Sequence, residues 1–253
     1  MKVTVLSSGS KGNTTYIETR STKILIDIGN SCKYVTEKLN TLGVSSHDIE
    51  AILITHTHID HVKGLKTFTN KNNPKVYITE KMYPDLNYLK NYEYITSNVI
   101  NIKDITITII KTSHDAEDSI GFIIANEKNS LVYITDTGYI NQKYHPLLKN
   151  KDIYIMESNH DIEMLNNSSY PFKLRQRILS DKGHLSNYDS SKYLGSFIGD
   201  DTKYIFLAHL SEENNTRDLA ESTLQGKLEE LHNTKIKIIV TTQNKETELV
   251  EIW

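Results

Sequence analysis

The sequence predicts an α/β protein in which two mixed sheets pack together and helices cover their outer sides, a four-layer α/β/β/α sandwich. Short β-rich segments alternate with helical patterns along the whole chain of 253 residues. The two halves follow the same order, strands first and helices afterwards. Because no linker or low-complexity stretch interrupts this alternation, we expect one domain over residues 1–253.

In the first half, runs rich in Val, Ile, Thr and Tyr predict strands, and longer amphipathic segments predict helices. The predicted strands are Val3–Leu6, Thr14–Glu18, Lys23–Asp27, Ala51–Ile54 and Lys75–Thr79. A helix is expected at Cys32–Leu42 and another across Lys81–Lys90.

The second half repeats this arrangement with a larger group of strands at its start. The predicted strands are Val99–Ile102, Asp104–Lys111, Ile120–Ala125, Leu131–Thr135, Asp152–Glu157, Lys203–Ala208, Ile236–Val240 and Glu248–Trp253. Helices are expected within Asp161–Ser180, at Asn187–Phe197 and at Asn215–Leu231. Strands flanked by helices in both halves favour two sheets with helices outside.

The composition limits the classes of protein to consider. The chain is 38% hydrophobic and 24% charged, with 29 Lys+Arg against 32 Asp+Glu. Near-neutral charge disfavours a protein that coats nucleic acid by bulk attraction, although it permits a local basic strip. No segment approaches the ~20 apolar residues of a membrane span, and the start, MKVTVLSSGS, becomes polar too soon for a signal peptide. We therefore expect a cytoplasmic protein with no membrane partner. The composition does not indicate an oligomeric state.

Cysteine usage restricts the kinds of metal site. Cys32 is the single cysteine, which excludes an internal disulfide and a cysteine-based zinc cluster. Any metal must therefore be held by histidines and carboxylates.

The most informative segment is 55-THTHIDHVKG-64, which directly follows the predicted strand Ala51–Ile54. Its side chains emerge where open α/β sheets place their ligands. Alternation in an extended loop would point His56, His58 and Asp60 the same way, and a helix beginning near Ile59 would turn His61 toward them. Such a concentration of ligands predicts a metal site with capacity for a second ion.

Three further residues come directly after other predicted strands. His114 comes after the predicted strand Asp104–Lys111. Asp136 directly follows Leu131–Thr135, and His209 directly follows Lys203–Ala208. Singly, each has another explanation: His114 or Asp136 can cap a turn, and His209 can be a buried histidine bonded to a carbonyl. Together with the first cluster they supply enough ligands for two ions that share one carboxylate.

HTHIDH resembles the HxHxDH signature of the metallo-β-lactamase fold hydrolases, and the later ligand motifs match in order. The resemblance implies that His56, His58 and His114 hold one metal, that Asp60, His61 and His209 hold the other, and that Asp136 bridges them. Asp27, at the end of KILIDIG, matches the family's early Asp, which supports the site by accepting a hydrogen bond from a ligand. Because the diiron branch of the fold typically has Glu in place of His58, the hydrolytic branch is favoured. Two divalent ions are expected, and Zn, Mn and Fe all suit these ligands.

Three further motifs narrow the resemblance: LSSGSKGNTTYIE, 157-ESNHDIEML-165 and 183-GHLSN-187. They are similar to the WalJ (YycJ) group, stand-alone relatives of the RNase J and RNase Z nucleases. The resemblance implies that His184 contacts the scissile phosphate. Alternatively, His184 is simply a residue that precedes a helix, near its N-cap Ser186, and has no contact with substrate. One strand and two or three predicted helices separate Asp136 from His209, so there is no room for the capping domain of RNase J, and that enzyme's preference for RNA does not carry over.

The resemblance implies a dinuclear phosphodiesterase, favoured as a 5′-to-3′ DNA exonuclease, in which metal-activated hydroxide attacks phosphorus. Asp60 and Asp136 position the hydroxide, and His184 stabilises the phosphate or protonates the leaving group. The alternatives are a hydrolase of a small ester, thioester, lactone or cyclic phosphate, and a non-catalytic metal-binding regulator.

Two segments are candidate contacts to nucleic acid. The loop Ser7–Asn13, with Ser8, Lys11 and Asn13, is rich in donors that suit a phosphate backbone, although a serine-glycine turn needs no ligand. A basic segment just before His184 carries Lys173, Arg175 and Arg177. A helix there would turn Leu174 and Ile178 to the core and leave these cations on its flanks, where they contact a backbone or form a solvated face.

Overall fold

The computed structural model describes residues 1–252, and it confirms the prediction of two mixed sheets flanked by helices. The first sheet has the strand order β14-β1-β2-β3-β4-β5-β6. Its strands are β1 (Lys2–Ser7), β2 (Thr14–Glu18), β3 (Lys23–Ile26), β4 (Ala51–Leu53), β5 (Lys75–Ile78), β6 (Tyr92–Tyr94) and β14 (Val250–Glu251).

The second sheet has the order β13-β12-β11-β10-β9-β8-β7. Its strands are β7 (Val99–Ile102), β8 (Ile105–Lys111), β9 (Ile120–Ala125), β10 (Ser130–Ile134), β11 (Ile153–Glu157), β12 (Tyr204–Ala208) and β13 (Lys237–Val240). In both sheets antiparallel pairs at one side give way to parallel pairs at the other: β3, β4, β5 and β6 are parallel neighbours, and so are β10, β11, β12 and β13. The carboxyl ends of the parallel strands therefore line up at one edge of each sheet.

Alternation along the strands separates two apolar cores. Leu131 and Tyr133 of β10 face the core between the sheets, whereas Val132 and Ile134 face a second core outside the second sheet. This period of two follows from strand geometry, and both faces are apolar because both are covered.

Helices pack against the outer faces. Residues of α1 and α3 contribute to the first core, and α7 and α8 cover the second sheet. The helices are α1 (Cys32–Thr41), α2 (Ile59–Val62), α3 (Leu65–Asn72), α4 (His145–Leu148), α5 (Ile162–Asn166), α6 (Phe172–Ile178), α7 (Asn187–Phe197) and α8 (Arg217–Glu230). Four of them, α4 to α7, lie with β11 and β12 between Asp136 and His209. That is one strand and one or two helices more than expected, and no further domain is inserted there.

Several predicted elements are wrong or shortened. The helix expected across Lys81–Lys90 is a 3-10 helix at Glu80–Leu86, because Pro84 lacks the N–H that an α-helix would use. The strand expected at Glu248–Trp253 forms only at Val250–Glu251, and Trp253 lies outside the described residues. Helix α3 and strand β6 were not predicted.

Within residues 1–252, no helix has the length and apolar character needed to cross a membrane.

Gly29 permits a close approach of three chain segments beside the metal-binding motif. A Cβ atom at Gly29 would lie 1.7 Å from the Asp60 carbonyl oxygen and 2.3 Å from the Asn13 nitrogen. These two atoms are hydrogen-bonded to each other at 2.8 Å. No side chain therefore fits at position 29 without displacing the Asp60 backbone.

We predict that Gly29→Ala lowers the free energy of unfolding by about 3 kcal/mol, because backbone atoms must move to admit the methyl group. Gly226→Ala is the matched control, since Gly226 lies inside α8 and a Cβ atom there would have no neighbour within 4 Å. It should raise the free energy of unfolding by about 0.5–1 kcal/mol through helix propensity. Urea titrations followed by circular dichroism measure both, and equal effects at the two positions would contradict this interpretation.

Candidate metal centre

The seven histidines and aspartates predicted as ligands meet where the carboxyl ends of the strands of both sheets come together. His56, His58, Asp60 and His61 follow β4 of the first sheet, and Asp60 and His61 lie in the first turn of α2. The second sheet contributes His114 after β8, Asp136 after β10 and His209 after β12. Contact between the two sheet ends is direct, since the Ile120 N–H donates to the Thr55 carbonyl at 3.0 Å.

The side chains form two groups that match the expected ligand sets. His56, His58 and His114 each offer a ring nitrogen within 4.8 Å of the others, and so do the ligand atoms of Asp60, His61 and His209. In the first group His114 Nε2 lies 3.2 Å from His58 Nδ1. In the second group Asp60 Oδ2 lies 3.4 Å from His61 Nε2 and 3.6 Å from His209 Nε2. Their role as metal ligands stays a prediction.

Asp136 lies between the two groups. Its Oδ2 is 3.2 Å from His61 Nε2, and its Oδ1 is 3.4 Å from His209 Nε2 and 3.9 Å from His114 Nε2. One carboxylate thus faces imidazoles from both groups and from both sheets, which is the geometry that a bridging ligand requires.

Three residues of the centre have left-handed backbone conformations. The φ angles of Asp27, Asp136 and His209 are 58°, 53° and 57°. Asp27 and His209 directly follow strands β3 and β12, and Asp136 is the second residue after β10. Non-glycine residues rarely adopt this conformation, and such strain concentrates at functional sites. The sharp turn aims each side chain across the strand ends instead of along the sheet.

Asp27 is buried and accepts three hydrogen bonds. Its Oδ1 accepts from the Thr55 N–H at 2.8 Å, and its Oδ2 accepts from Thr55 Oγ1 at 2.7 Å and faces His61 Nδ1 at 2.7 Å. A donor on Nδ1 leaves Nε2 of His61 as the atom that faces Asp136. This arrangement is the one expected of a carboxylate that orients a metal-binding histidine.

Glu157, at the end of β11, performs the corresponding task in the second sheet and was not predicted as a site residue. Its Oε2 accepts from the N–H groups of Thr137 and Leu185 at 3.0 and 3.2 Å. Its Oε1 lies 2.7 Å from His184 Nδ1 and 3.1 Å from His209 Nδ1. Although burial raises the pKa of a carboxyl, these two histidines lower the pKa of Glu157 to about 2. The sequence feature that could have identified Glu157 was its position at the end of a predicted strand, as for Asp136.

Unpaired polar atoms show that the centre fits a cation. His56 Nε2, Asp136 Oδ2 and His209 Nε2 are buried and make no hydrogen bond within residues 1–252. Leaving such atoms unpaired costs about 1–3 kcal/mol each, and coordination to a metal ion satisfies all three.

The charges of the side chains in the centre also favour a bound cation. Burial opposes a charge on His209, yet Asp136, Asp60 and Glu157 raise its pKa to about 10. The pKa of His61 is likewise raised well above its usual range, against burial, by Asp136 and Asp27. The buried carboxylates therefore draw positive charge into the centre, and divalent cations would supply it while displacing these protons.

The loop Ser7–Asn13 approaches the centre, but its polar groups are largely engaged by the protein. Ser8 is buried, its N–H donates to the Thr242 carbonyl, and its Oγ accepts from the His209 N–H at 2.8 Å. Lys11 Nζ pairs with Glu212 at 2.5 Å. Asn13 Nδ2 lies 3.2 Å from Asp60 Oδ2 and 3.0 Å from His61 Nε2. Ser8 contacts the backbone of a predicted ligand, whereas Asn13 contacts the side chains of two.

The basic segment forms α6 beside the centre. Leu174 and Ile178 were expected to face the core, but they are only half-buried and line a cleft. Arg177 Nε pairs with Asp115 at 2.5 Å, and Asp115 lies 3.4 Å from His114 Nε2. Arg175 donates to the Asn166 carbonyl, and Lys173 is exposed. The structure thus brings Arg177 to the metal centre and directs Arg175 to a neighbouring turn.

Comparison with known proteins gives matches to one family over most of the chain. Residues 22–192 match the family model described as "Beta-lactamase superfamily domain". The chain is 36% identical over 263 residues to "Exodeoxyribonuclease WalJ" of Streptococcus pneumoniae serotype 2, covering 99% of this chain and 98% of that protein. It is 36% identical to "Exodeoxyribonuclease YycJ" of Bacillus anthracis, covering 89% and 88%.

Solved structures of more distant proteins share the fold. The metallo-β-lactamase fold protein YhfI from Bacillus subtilis superposes with a TM-score of 0.75 at 16% identity, covering 98% of this chain and 99% of that one. The short form of human tRNase Z superposes with a TM-score of 0.67 at 15% identity, also covering 98% and 99%.

His160 is a buried histidine outside the predicted ligand sets. Its side chain is 1% exposed, and neither ring nitrogen makes a hydrogen bond within residues 1–252. Burial lowers its pKa to about 4, in spite of the nearby Glu157. The folded protein therefore keeps this ring neutral at pH values where a histidine of the unfolded chain is charged.

We predict that His160 makes the protein less stable in acid. An unfolded histidine titrates near pH 6.5, so between about pH 6.5 and 4 the unfolded chain binds a proton that the folded chain excludes. The free energy of unfolding is therefore unaffected above this window and falls as the pH falls through it, by about 2 kcal/mol at pH 5.

Urea unfolding at pH 7 and pH 5 in EDTA measures this loss. His160→Gln should reduce the difference between the two pH values by about 2 kcal/mol. The exposed His47, substituted in the same way, should leave the difference as in the parent. Equal acid sensitivity of the parent and His160→Gln would contradict the assignment.

Proposed function

Since the chain belongs to the β-lactamase superfamily, we propose that it is a metal-dependent nuclease of that superfamily that removes nucleotides from the end of a DNA strand. The metallo-β-lactamase fold predicted from the sequence is confirmed by the structural matches. Full-length similarity to two proteins named as exodeoxyribonucleases supports DNA as the substrate. The observation that carries the proposal is the cluster of seven predicted ligands with His184 beside it.

The residues of the centre suit two divalent ions. His56, His58 and His114 would hold one ion, Asp60, His61 and His209 would hold the other, and Asp136 would bridge them. When bound, two such ions lower the pKa of water and stabilise the charge that develops on a phosphodiester during in-line displacement. Zinc, manganese and iron all suit these ligands.

His184 is the group of the chain that is best placed to act on the substrate. Its Nδ1 lies 2.7 Å from Glu157 and 3.8 Å from Asp136 Oδ1, and its side chain is 18% exposed, so it reaches the surface of the centre without belonging to the two ligand sets. Glu157 fixes the ring through Nδ1, which leaves Nε2 to contact a phosphate oxygen or the leaving alkoxide.

The remaining proposed contacts are secondary to these. Asn13 would orient Asp60 and His61, and Arg177 would bind phosphate once a substrate competes for its partner Asp115. Lys173 and Arg175 would contact the phosphate backbone only of a longer strand. Ser8 and Lys11 would contribute indirectly, by holding the loop Ser7–Asn13 in place. A preference for DNA over RNA, 5′-to-3′ polarity and a cytoplasmic location are parts of the same proposal.

A panel of substrates tests the activity. The protein is stripped of metal, reloaded with Zn²⁺, Mn²⁺ or Fe²⁺ in turn, and given end-labelled single- and double-stranded DNA and RNA together with a thioester and a lactone. We expect mononucleotides to be released from DNA with at least one metal. Turnover of the thioester or lactone alone would favour a small-molecule hydrolase, and bound metal without any turnover would favour a regulatory role.

We predict that Asp136→Asn abolishes hydrolysis and lowers metal content, because a neutral amide bridges two cations poorly and leaves their charge under-compensated. Metal analysis by mass spectrometry and a DNA assay on the same preparation measure both effects. The exposed Asp200→Asn is the control and should match the parent. Near-normal turnover of Asp136→Asn with two bound metals would remove Asp136 from the bridging position.

For His184→Ala we expect full metal content with kcat reduced by ~10²–10⁴-fold, the usual contribution of a general acid. His47→Ala replaces an exposed histidine that belongs to neither predicted ligand set, and it should retain parental kcat. Loss of metal in His184→Ala would instead make His184 a ligand and overturn its assignment.

A further inference from the structure

A cleft leads away from the metal centre on the side of His184. His114, His184 and His209 line its inner end, and its volume is about 190 Å³. Farther out its wall changes in character: Tyr170, Leu174 and Leu210 provide apolar surface, and Arg177 and Lys182 provide positive charge. A cleft that combines such a wall with the reacting centre is suited to an amphipathic anion.

One side of the cleft is α6, which is tied closely to His184. The His184 N–H donates to the Ile178 carbonyl at 3.0 Å. A Cβ at Gly183 would lie 2.0 Å from that same oxygen, so the turn that joins α6 to His184 has no room for a side chain. Arg177 anchors the helix to the centre through Asp115. The position of this wall relative to His184 is therefore fixed.

The other side is built from Tyr170 and the loop after β12. Burial and the neighbouring Glu213 raise the pKa of the Tyr170 hydroxyl. Tyr170 and Ser211 both line the cleft, and the Tyr170 ring can offer its apolar face to a ligand. Leu210, which follows His209, completes this side.

The chemistry of the cleft suits a nucleotide. Aromatic and aliphatic side chains bind a base by stacking and burial, and lysine and arginine bind phosphate oxygens. Lys182 is exposed at the rim, and Arg177 needs only to exchange Asp115 for a phosphate.

We propose that this cleft seats the terminal nucleotide of the DNA strand, with its base or sugar against Tyr170 and Leu174 and a phosphate at Lys182 and Arg177. The inference rests on the proposed nuclease function, under which the nucleotide beside the centre is the last one of a strand. Tyr170 is then a substrate-binding residue for which no sequence motif gave a signal.

Two small phosphodiesters with the same leaving group test the proposal. In methyl p-nitrophenyl phosphate the group that stays on phosphorus is too small to reach Tyr170, whereas in the p-nitrophenyl phosphate diester of thymidine it is a whole nucleoside. Both the 5′ and the 3′ thymidine esters are used, so that either strand polarity is covered. For the parent we expect at least one thymidine ester to have a KM about tenfold below that of the methyl ester, the order of magnitude of one stacking contact.

Tyr170→Ala should raise the KM of the preferred thymidine ester about tenfold, so that the thymidine and methyl esters have similar KM values. Tyr170→Phe, which keeps the ring, should retain the preference. Tyr188→Ala is the matched control, because Tyr188 is a 60% exposed tyrosine of α7 that does not line the cleft. It should behave as the parent with all three esters.

Equal KM values for the methyl and thymidine esters in the parent, or an unchanged preference in Tyr170→Ala, would overturn the nucleotide site while hydrolysis itself continued. Absence of hydrolysis of every ester and of DNA would instead overturn the proposed function. The two failures are therefore distinguishable in one set of assays.

Discussion

The rest of the centre depends on the buried carboxylate of Asp136, which faces His61 from the first sheet at 3.2 Å and His209 from the second at 3.4 Å. These contacts exist only if the two sheets are packed at the correct separation and if β10 and β12 end level with the segment after β4. A charge this deeply buried is costly unless it is compensated, and the surrounding imidazoles compensate it only when protonated. Metal cations would resolve this conflict, because they would satisfy both the carboxylate and the ring nitrogens.

The two sheets support the centre by the same construction. In the first sheet, Asp27 directly follows β3 and orients His61, which comes after the neighbouring parallel strand β4. In the second sheet, Glu157 ends β11 and orients His209, which follows the neighbouring parallel strand β12. Parallel neighbours end at the same edge, so a carboxylate on one strand lies within reach of a histidine on the next. Glu157 differs from Asp27 because it also orients His184 and thereby joins the predicted ligands to the residue proposed to meet the substrate.

The sequence predicted most of the strands for physical reasons that also explain its failures. Runs such as Ile153–Glu157 are apolar on both faces because both faces are covered, and this pattern is visible without a structure. Strand β6 contains Tyr-Glu-Tyr at a sheet edge, and α3 is rich in Lys, Asn and Thr, so neither has a strong apolar pattern. HTHIDH revealed its ligands through close spacing, whereas Glu157 and Tyr170 reach the centre and its cleft from separate segments that only the fold brings together.

We propose that this junction of the two sheets holds two ions that share Asp136. A crystal structure of the zinc-loaded protein, with anomalous differences collected on both sides of the zinc absorption edge, tests it most directly. Two peaks are expected, one at ~2.0–2.2 Å from ligand atoms of His56, His58 and His114 and the other at that distance from those of Asp60, His61 and His209, each also bound by an oxygen of Asp136. A single fully occupied ion, or two ions without Asp136 between them, would contradict the account.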